Sequence, residues 1–243
     1  KDAPFRSVQP QRLADIDRHD ADAYFAAIRE GEILLHHPYQ TFTSTVTRFV
    51  ELAARDPKVL AIKQTLYRTS GDSQIMHSLI EAAKSGKQVL AVIELRARFD
   101  EQANVRWAKK LEDAGAHVVY GVLGLKTHAK ASLVVRREDS GLNVYSHIGT
   151  GNYNQKTARL YDDLGVLSAD ASLGQDLLKL FNHLSGVHSE SQYERLLVAP
   201  HGIRKSLLEL IEQEQRNHLD GKPSQIRWKV NSLVDNQMID ALY

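Results

Sequence analysis

Residues 88–122 read QVLAVIELRARFDEQANVRWAKKLEDAGAHVVYGV, with an apolar run at each end and a polar stretch between them. Both runs are short and rich in Val, Leu and Ile, which is typical of strands buried on both faces of a parallel sheet. Four apolar residues of the middle stretch share one helical face: Ala103, Trp107, Leu111 and Ala114. Gly115 supplies a helix stop. The stretch therefore predicts a strand at 88–95, a helix at about 105–115 and a strand at 116–122.

The same pattern continues toward the N-terminus. KVLAI (58–62) predicts a further strand, and HSLIEAAKSGK (77–87) predicts the helix that links it to the next strand. A helix at about 43–56 precedes them and is ended by Pro57. Strands that alternate with helices in this way predict an α/β domain with right-handed crossover connections.

Beyond residue 130 the pattern predicts a hairpin. ASLVV (131–135) and LNVYSHIG (142–149) flank a charged turn segment, and LGVLSA (164–169) predicts another strand before a helix at about 171–187. We expect a domain boundary near 195–200. The following unit is predicted to contain a helix to about 219, a strand at QIRWKVN (225–231) and a last helix.

The composition excludes several classes of protein. The 243 residues carry 31 Lys+Arg against 30 Asp+Glu, so no global field favours nucleic acid or membrane. Because the chain has no cysteine, it has no disulfide, no thiolate nucleophile and no Cys-based zinc site. No apolar run approaches the length needed to span a bilayer. Because the chain opens at Lys1 with a polar stretch and no Met, we expect it to be a fragment.

Three cationic or cationisable residues follow successive predicted strands: Arg68, Arg98 and His128, spaced by one βα unit. Ligands bind outside the carboxyl ends of strands in open α/β sheets, so we expect these three groups at one edge. The alternative is that strand ends are polar in any case and that the equal spacing is chance.

His128 and Lys130 are two residues apart, so in extended backbone their side chains point to the same side. An ammonium binds phosphate oxygens and an imidazole nitrogen can attack phosphorus, which together suit phosphate chemistry. HIGTGNYN (147–154) adds two glycines around Thr150, followed by Asn152. Such a loop can bring backbone N–H groups and an amide near an anion, although it is also typical of a plain turn.

His128-x-Lys130 followed by the Gly-Thr-Gly-Asn segment resembles half of the phospholipase D superfamily pattern. That pattern has an Asp five positions after the Lys, where this chain has Val135. Over essentially its whole length, the chain more fully resembles polyphosphate kinases of the first type. Six segments carry this resemblance in order: ILLHHPYQTF (33–42), IKQTLYRTSGDS (62–73), ARFDEQAN (97–104), GLKTHAK (124–130), HIGTGNYN (147–154) and TARLYDDLG (157–165).

The resemblance implies transfer of the terminal phosphate of ATP to inorganic polyphosphate, reversibly, through a phosphohistidine on His128. Lys130 and Asn152 would bind the oxygens of the transferred group. The Mg²⁺ site of the family falls at Arg68 and Arg98. A guanidinium has no lone pair for a metal, so we expect the two arginines to clamp the triphosphate that carries Mg²⁺.

Two further assignments concern TARLYDDLG. Tyr161 matches a tyrosine that contacts the nucleotide in the family, although its sequence position alone would favour a core aromatic. Asp163 is a candidate to fix the imidazole tautomer in place of the Asp that the superfamily pattern has at 135. The alternative for Asp163 is a solvated turn or a helix cap.

By the same resemblance, residues 1–14 end a helical domain, 15–197 form the first catalytic domain and 198–243 begin a second, similar one. The implied fold is α/β, a phospholipase D-like mixed sheet with helices on both faces. The implied partners are ATP, ADP and polyphosphate but not nucleic acid, with a homo-oligomer in the full-length protein. We expect a cytoplasmic location, either free or peripheral to the inner face of the membrane, and a fragment that is inactive alone.

Two other classes stay open. In a phospholipase D-type phosphodiesterase, His128 would attack a lipid or nucleic-acid phosphodiester. In a non-catalytic module, the Arg and Lys cluster would only bind polyanions or assemble subunits. His36 and His37 do not predict a metal pair, because neighbours on a strand face opposite ways. His147 also ends a strand and is a candidate donor near His128.

Overall fold

The computed structural model of the protein describes residues 6–67, 73–94, 101–121, 125–187, 192–200 and 202–243. The chain divides into two units, Lys1–Ser191 and Gln192–Tyr243. Within the described residues of the first unit, seven strands form one mixed sheet in the order β1-β7-β6-β5-β2-β3-β4. The strands are β1 Ile33–His37, β2 Val59–Leu66, β3 Gln88–Ile93, β4 His117–Val119, β5 Ala131–Glu138, β6 Gly141–Gly149 and β7 Asp163–Ser168.

The predicted βαβ units are confirmed in one half of the sheet. β2, β3 and β4 are parallel neighbours, and they are joined by helices α4 (Gln74–Lys84) and α5 (Glu101–Asp113). Ser73 caps α4 by accepting a hydrogen bond from the Met76 N–H at 3.4 Å. In the other half, β5 pairs antiparallel with β2, and β6, β7 and β1 continue antiparallel. The carboxyl ends of β2 and β3 therefore lie at the same edge as the start of β5.

Helices cover both faces of this sheet. The larger core lies on the face that carries Ile62, Val134 and Tyr145, where α2 (Ala21–Arg29), α3 (Arg48–Arg55), α4 and α5 bury their apolar sides. Each fully buried side chain of this size contributes roughly 1.5–3 kcal/mol relative to exposure. α6 (Ala171–Leu184) covers β5 and β6 on the other face. It comes so close that a Cβ on Gly174 would lie 3.0 Å from Val144.

Most predicted elements are present with shifted ends. The helix predicted at 43–56 is a π-helical turn, Thr43–Thr47, that continues into α3, and the predicted hairpin is β5 and β6. Two further helices, α2 and the short helix α1 (Gln11–Ala14), were not predicted from the sequence.

The second unit is helical in its described part. It contains α7 (Ile203–Leu219) and α8 (Asn236–Leu242). The strand predicted at 225–231 is wrong, because that segment forms no ladder in the described residues. A strand needs a neighbour for its backbone N–H and C=O groups, and alternating apolar residues alone do not supply one. No helix of the described residues is both long enough and apolar enough to cross a membrane.

Candidate active site

The segment that carries His128 enters the sheet at the edge where β2 and β3 end. β2 and β3 end side by side, with Leu66 opposite Ile93, and β5 starts at Ala131 beside β2. The Ala131 N–H donates to Oγ1 of buried Thr65 at 2.9 Å, which fixes the entry of the segment into the sheet. The approach of the predicted nucleophile to this edge is therefore set by pairing between β2 and β5.

Tyr67 is the residue on which the basic groups converge. Its ring meets the exposed His128 imidazole edge-on, with the ring centroids 5.3 Å apart. The Nζ atoms of Lys126 and Lys130 each lie 5.2 Å from the Tyr67 ring centroid, within the range of cation–π attraction. Lys130 is buried, and its ammonium donates to the His128 carbonyl oxygen at 2.6 Å. Two positive charges and an imidazole thus surround one aromatic ring.

The start of the loop after β6 is hydrogen-bonded to the segment before β5 on one side and to β7 on the other. The Gly149 N–H donates to the Lys130 carbonyl oxygen at 3.0 Å, and the Thr150 N–H donates to the Leu164 carbonyl oxygen at 2.9 Å. These two amides are therefore engaged in sheet pairing, and the predicted anion-binding role does not extend to them. Asn152 follows in the same loop, and its Oδ1 is buried without a hydrogen-bond partner among the described residues.

Asp163, the first residue of β7, contacts this loop with its side chain. Its carboxylate accepts a hydrogen bond from Thr150 Oγ1 at 2.8 Å. A Cβ on residue 151 would lie 2.5 Å from Asp163 Oδ2, so only glycine leaves room for the carboxylate there. Gly151, the second glycine of the Gly-Thr-Gly-Asn segment, thus leaves space for the Asp163 side chain.

The acid that the superfamily pattern has at position 135 would not reach the site from there. Val135 pairs with Ala61 and Val144 in the middle of the sheet. It lies four residues into β5, about 13 Å along the strand from Ala131. The departure from the superfamily pattern therefore removes no group from the surroundings of His128.

Two buried histidines, His37 on β1 and His147 on β6, lie on the strands that flank β7. Nδ1 of His147 is 2.8 Å from the Tyr153 hydroxyl, and Gly165 leaves space for the ring, since a Cβ there would lie 2.7 Å from Nε2. His37 donates from Nδ1 to the Gln40 carbonyl oxygen at 2.8 Å. Burial, and secondarily the nearby His37, lowers the pKa of His147 to about 3, and burial also lowers the pKa of His37. His147 is therefore a neutral, internal imidazole.

This burial predicts a pH dependence of stability. His147 takes up a proton at its ordinary pKa of 6.5 when unfolded but only near 3 when folded. The stabilisation of the folded state by buried, neutral His147 is therefore fully present above pH 6.5 and is lost as the pH falls toward 3. Over that range the free energy of unfolding decreases by at most about 1.4 kcal/mol per pH unit on account of this residue. In urea unfolding between about pH 7 and pH 5, His147→Gln should flatten the profile by up to about that slope. His19→Gln, at an exposed position, is the control, and parallel profiles for wild type and His147→Gln would contradict the prediction.

His36 and His37 point to opposite faces of β1, as predicted. His37 is buried, whereas His36 is exposed and its Nε2 lies 2.5 Å from Asp162 Oδ1. Tyr161, beside that acid, is 58% exposed, so it is available to a ligand and is not a core aromatic.

The predicted arginine clamps, Arg68 and Arg98, lie outside the described residues. Tyr67 and Lys126 were not predicted from the sequence as members of the cluster. Both stand in quoted segments, next to Arg68 and two residues before His128, but no spacing rule brings them together. Their contact arises from the pairing of β2 with β5.

Two family models match most of the chain. The family model described as polyphosphate kinase C-terminal domain 1 matches residues 23–190, and C-terminal domain 2 matches residues 196–243. A polyphosphate kinase from Mycolicibacterium gilvum is 56% identical over 243 residues, which is 100% of this chain and 33% of that relative. The chain thus spans about one third of the length of the curated relatives that it matches.

Solved structures match in the same way. Polyphosphate kinase from Porphyromonas gingivalis is 32% identical with a TM-score of 0.87, over 100% of this chain and 36% of that one. NucT from Helicobacter pylori is 10% identical with a TM-score of 0.50, over 65% of this chain and 96% of that one, and it shares the fold alone. The predicted fold class, a phospholipase D-like mixed sheet with helices on both faces, is confirmed. Because the first family model covers more than half of it, the chain belongs to the polyphosphate kinase family.

Proposed function

We propose that the full-length protein transfers the terminal phosphate of ATP to inorganic polyphosphate, reversibly, through a phosphohistidine on His128. The family supports the two substrates, and the cluster around Tyr67 supports the place of the reaction. We also propose that residues 15–197 form the first catalytic domain and that residues 198–243 begin the second.

The observation that carries the proposal is the pair of ammonium groups beside an exposed imidazole. The ammonium groups of Lys126 and Lys130 lie against the same ring and repel each other, and a bound polyanion would offset this repulsion. An ammonium 4 Å from a phosphate charge gains about 1 kcal/mol in bulk water and about 4 kcal/mol near a protein surface. Since Lys130 is buried and Lys126 is exposed, we expect Lys130 to provide the stronger contact.

The proposed reaction has two displacements at phosphorus. A neutral nitrogen of His128 attacks the γ-phosphorus of ATP in line, a P–N bond forms, and the bond to the bridging oxygen breaks to release ADP. A terminal oxygen of the polymer then attacks the phosphohistidine, the P–N bond breaks, and the polymer grows by one phosphate. Lys130 and Asn152 hold the phosphoryl oxygens, and Arg68 and Arg98 are proposed as the bidentate clamps.

Asp163 and Tyr161 complete the proposal. Asp163 stands at the start of β7, beside the end of β6 and so at the sheet edge where the His128 segment enters, and it is proposed as the group that fixes the imidazole tautomer. Tyr161 is exposed, which supports its proposed contact with the nucleotide.

We propose that Mg²⁺ takes part as MgATP, as a component of the substrate. In the part of the chain that the structure describes, no group of three or more His, Asp or Glu side chains could hold a metal ion. Mg²⁺ commonly keeps several waters and binds through substrate phosphates, which fits a site whose described groups are mainly cationic.

Covalent labelling tests the proposed function. The full-length protein incubated with ATP labelled in the γ-phosphate should retain an acid-labile, base-stable label that maps to His128 and passes to polyphosphate. Polymer synthesis without such a label, or a label on a different residue, would contradict the proposal. Cleavage of phosphodiesters without turnover of ATP would favour the phosphodiesterase alternative.

The 243-residue chain alone is expected to synthesise no detectable polyphosphate. Positioning accounts for most of phosphoryl-transfer catalysis, and the chain spans only about a third of its relatives. It should still bind polyphosphate weakly, and binding should fall with salt as the Debye length shrinks from about 10 Å at 0.1 M to about 3 Å at 1 M. Lys126→Gln should weaken binding and the exposed Lys222→Gln should not. Synthesis near the full-length rate would contradict the prediction.

A further inference from the structure

Glu94 is a buried carboxylate that touches the segment of His128. It is only 5% exposed and lies one residue beyond β3, at the edge where the candidate active site lies. Its Oε2 accepts a hydrogen bond from the Thr127 N–H at 2.8 Å. The bonded amide thus belongs to the residue that directly precedes His128.

The backbone of Glu94 is itself held on two sides. Its N–H donates to the Leu66 carbonyl oxygen at 3.1 Å, which extends the pairing of β3 with β2 by one residue. Its carbonyl oxygen accepts a hydrogen bond from Nδ2 of buried Asn104 on α5 at 3.3 Å. The side chain of Glu94 therefore starts from a backbone position that is fixed by β2 and by α5.

Gly121, two residues after β4, lies beside the carboxylate of Glu94. Gly121 has a φ of +64°, and a Cβ there would lie 3.6 Å from both Glu94 Oε2 and Thr127 Oγ1. Glu94 and Thr127 are both buried, so water competes little for their hydrogen bond. A charge-assisted hydrogen bond in such surroundings is roughly twice as strong as a neutral one.

We infer that Glu94 is a positioning residue for the phosphoryl transfer, which holds the backbone at Thr127 and thereby places the ring of His128. This inference rests on the proposed function. In-line attack requires the nucleophile at about 3–3.5 Å from phosphorus, and a displacement of about 1 Å can lower the rate by about 10²-fold. Glu94 acts through a backbone amide, so it need not touch the substrate.

The test measures the rate of phosphohistidine formation in the full-length protein by single-turnover labelling from γ-labelled ATP. Glu94→Ala removes the acceptor and should slow labelling by about 10²-fold, while the ATP concentration for half-maximal rate changes by less than about threefold. Glu94→Gln keeps an oxygen for the Thr127 N–H and should restore most of the rate.

Asp170 offers a matched control, since its carboxylate also accepts a backbone N–H, that of Leu173, at 2.8 Å. It caps α6, which follows the end of β7 that is remote from the site. Asp170→Ala should lower the unfolding temperature without changing the labelling rate of the folded protein.

The outcomes separate the inference from the proposed function. A labelled wild type with normal labelling in Glu94→Ala would overturn this inference alone, and so would a Gln variant as slow as the Ala variant. A wild type that takes no label would overturn the proposed function and the inference with it. If Glu94→Ala does not fold, Glu94→Asp replaces it, because it keeps the charge but retracts the oxygens by about 1.5 Å. Faster labelling in Asp than in Gln would then overturn the inference.

Discussion

Replacing His128 with Ala is expected to abolish both the phosphoenzyme and the synthesis of polyphosphate in the full-length protein. Without the imidazole no P–N bond can form, and the remaining cations can only bind the phosphates. The fold should survive, because the ring of His128 is exposed and is not part of the buried core. Labelling from γ-labelled ATP, polymer synthesis and circular dichroism measure the three expectations.

A second histidine variant makes this result specific. His218 is exposed on α7 in the second unit, and His218→Ala should label and synthesise like wild type. Retained label in His128→Ala would remove His128 as the nucleophile. His147 would then be the next candidate nucleophile, although its ring is buried and its Nδ1 lies 2.8 Å from the Tyr153 hydroxyl.

The largest expected loss of stability concerns Arg136 on β5. Its buried guanidinium donates to Asp56 and to Glu138 at 2.7 Å each, and it also pairs with Asp22. The Asp56 and Glu138 carboxylates are themselves nearly buried. Arg136→Met would leave the buried Asp56 carboxylate without its guanidinium partner, whereas Glu138 would keep Arg29. Because removing one partner of a buried ion pair leaves an uncompensated charge, the variant should lower the free energy of unfolding by about 3–5 kcal/mol.

The neighbouring Arg137 provides the comparison for this variant. It lies on the same strand but is exposed, so Arg137→Met should change the free energy of unfolding by less than about 0.5 kcal/mol. Urea unfolding of the two variants side by side measures the difference. Equal, small effects in both would mean that the buried network contributes little more than its desolvation costs.

Much of the fold was predictable from local patterns. The apolar runs at 58–62, 88–95 and 116–122 correspond to parallel strands, because strands buried on both faces need continuous apolar sequence. The segment at 225–231 has an equally regular pattern but forms no strand in the described residues. Periodicity states which side chains can share a face, whereas a strand also requires a neighbour with free backbone groups.

In the candidate active site too, some features were predictable from local sequence and others were not. The sequence by itself determined that His128 and Lys130 stand just before a strand, since a polar segment follows one apolar run and precedes another. Only the tertiary structure decided that Tyr67 collects Lys126, Lys130 and His128 around one ring.

The contacts of the two acids were likewise decided by the fold. That Glu94 meets the amide of Thr127, and that Asp163 occupies the space over Gly151, follows from strand order. Residues 33 and 61 positions apart in sequence, Glu94 with Thr127 and Tyr67 with His128, come into contact through the pairing of β2 with β5 and the neighbouring ladders. Local periodicity sets the direction of each side chain along its own strand. The order and register of strands, which create contacts between distant residues, depend on how all the elements bury their apolar faces together.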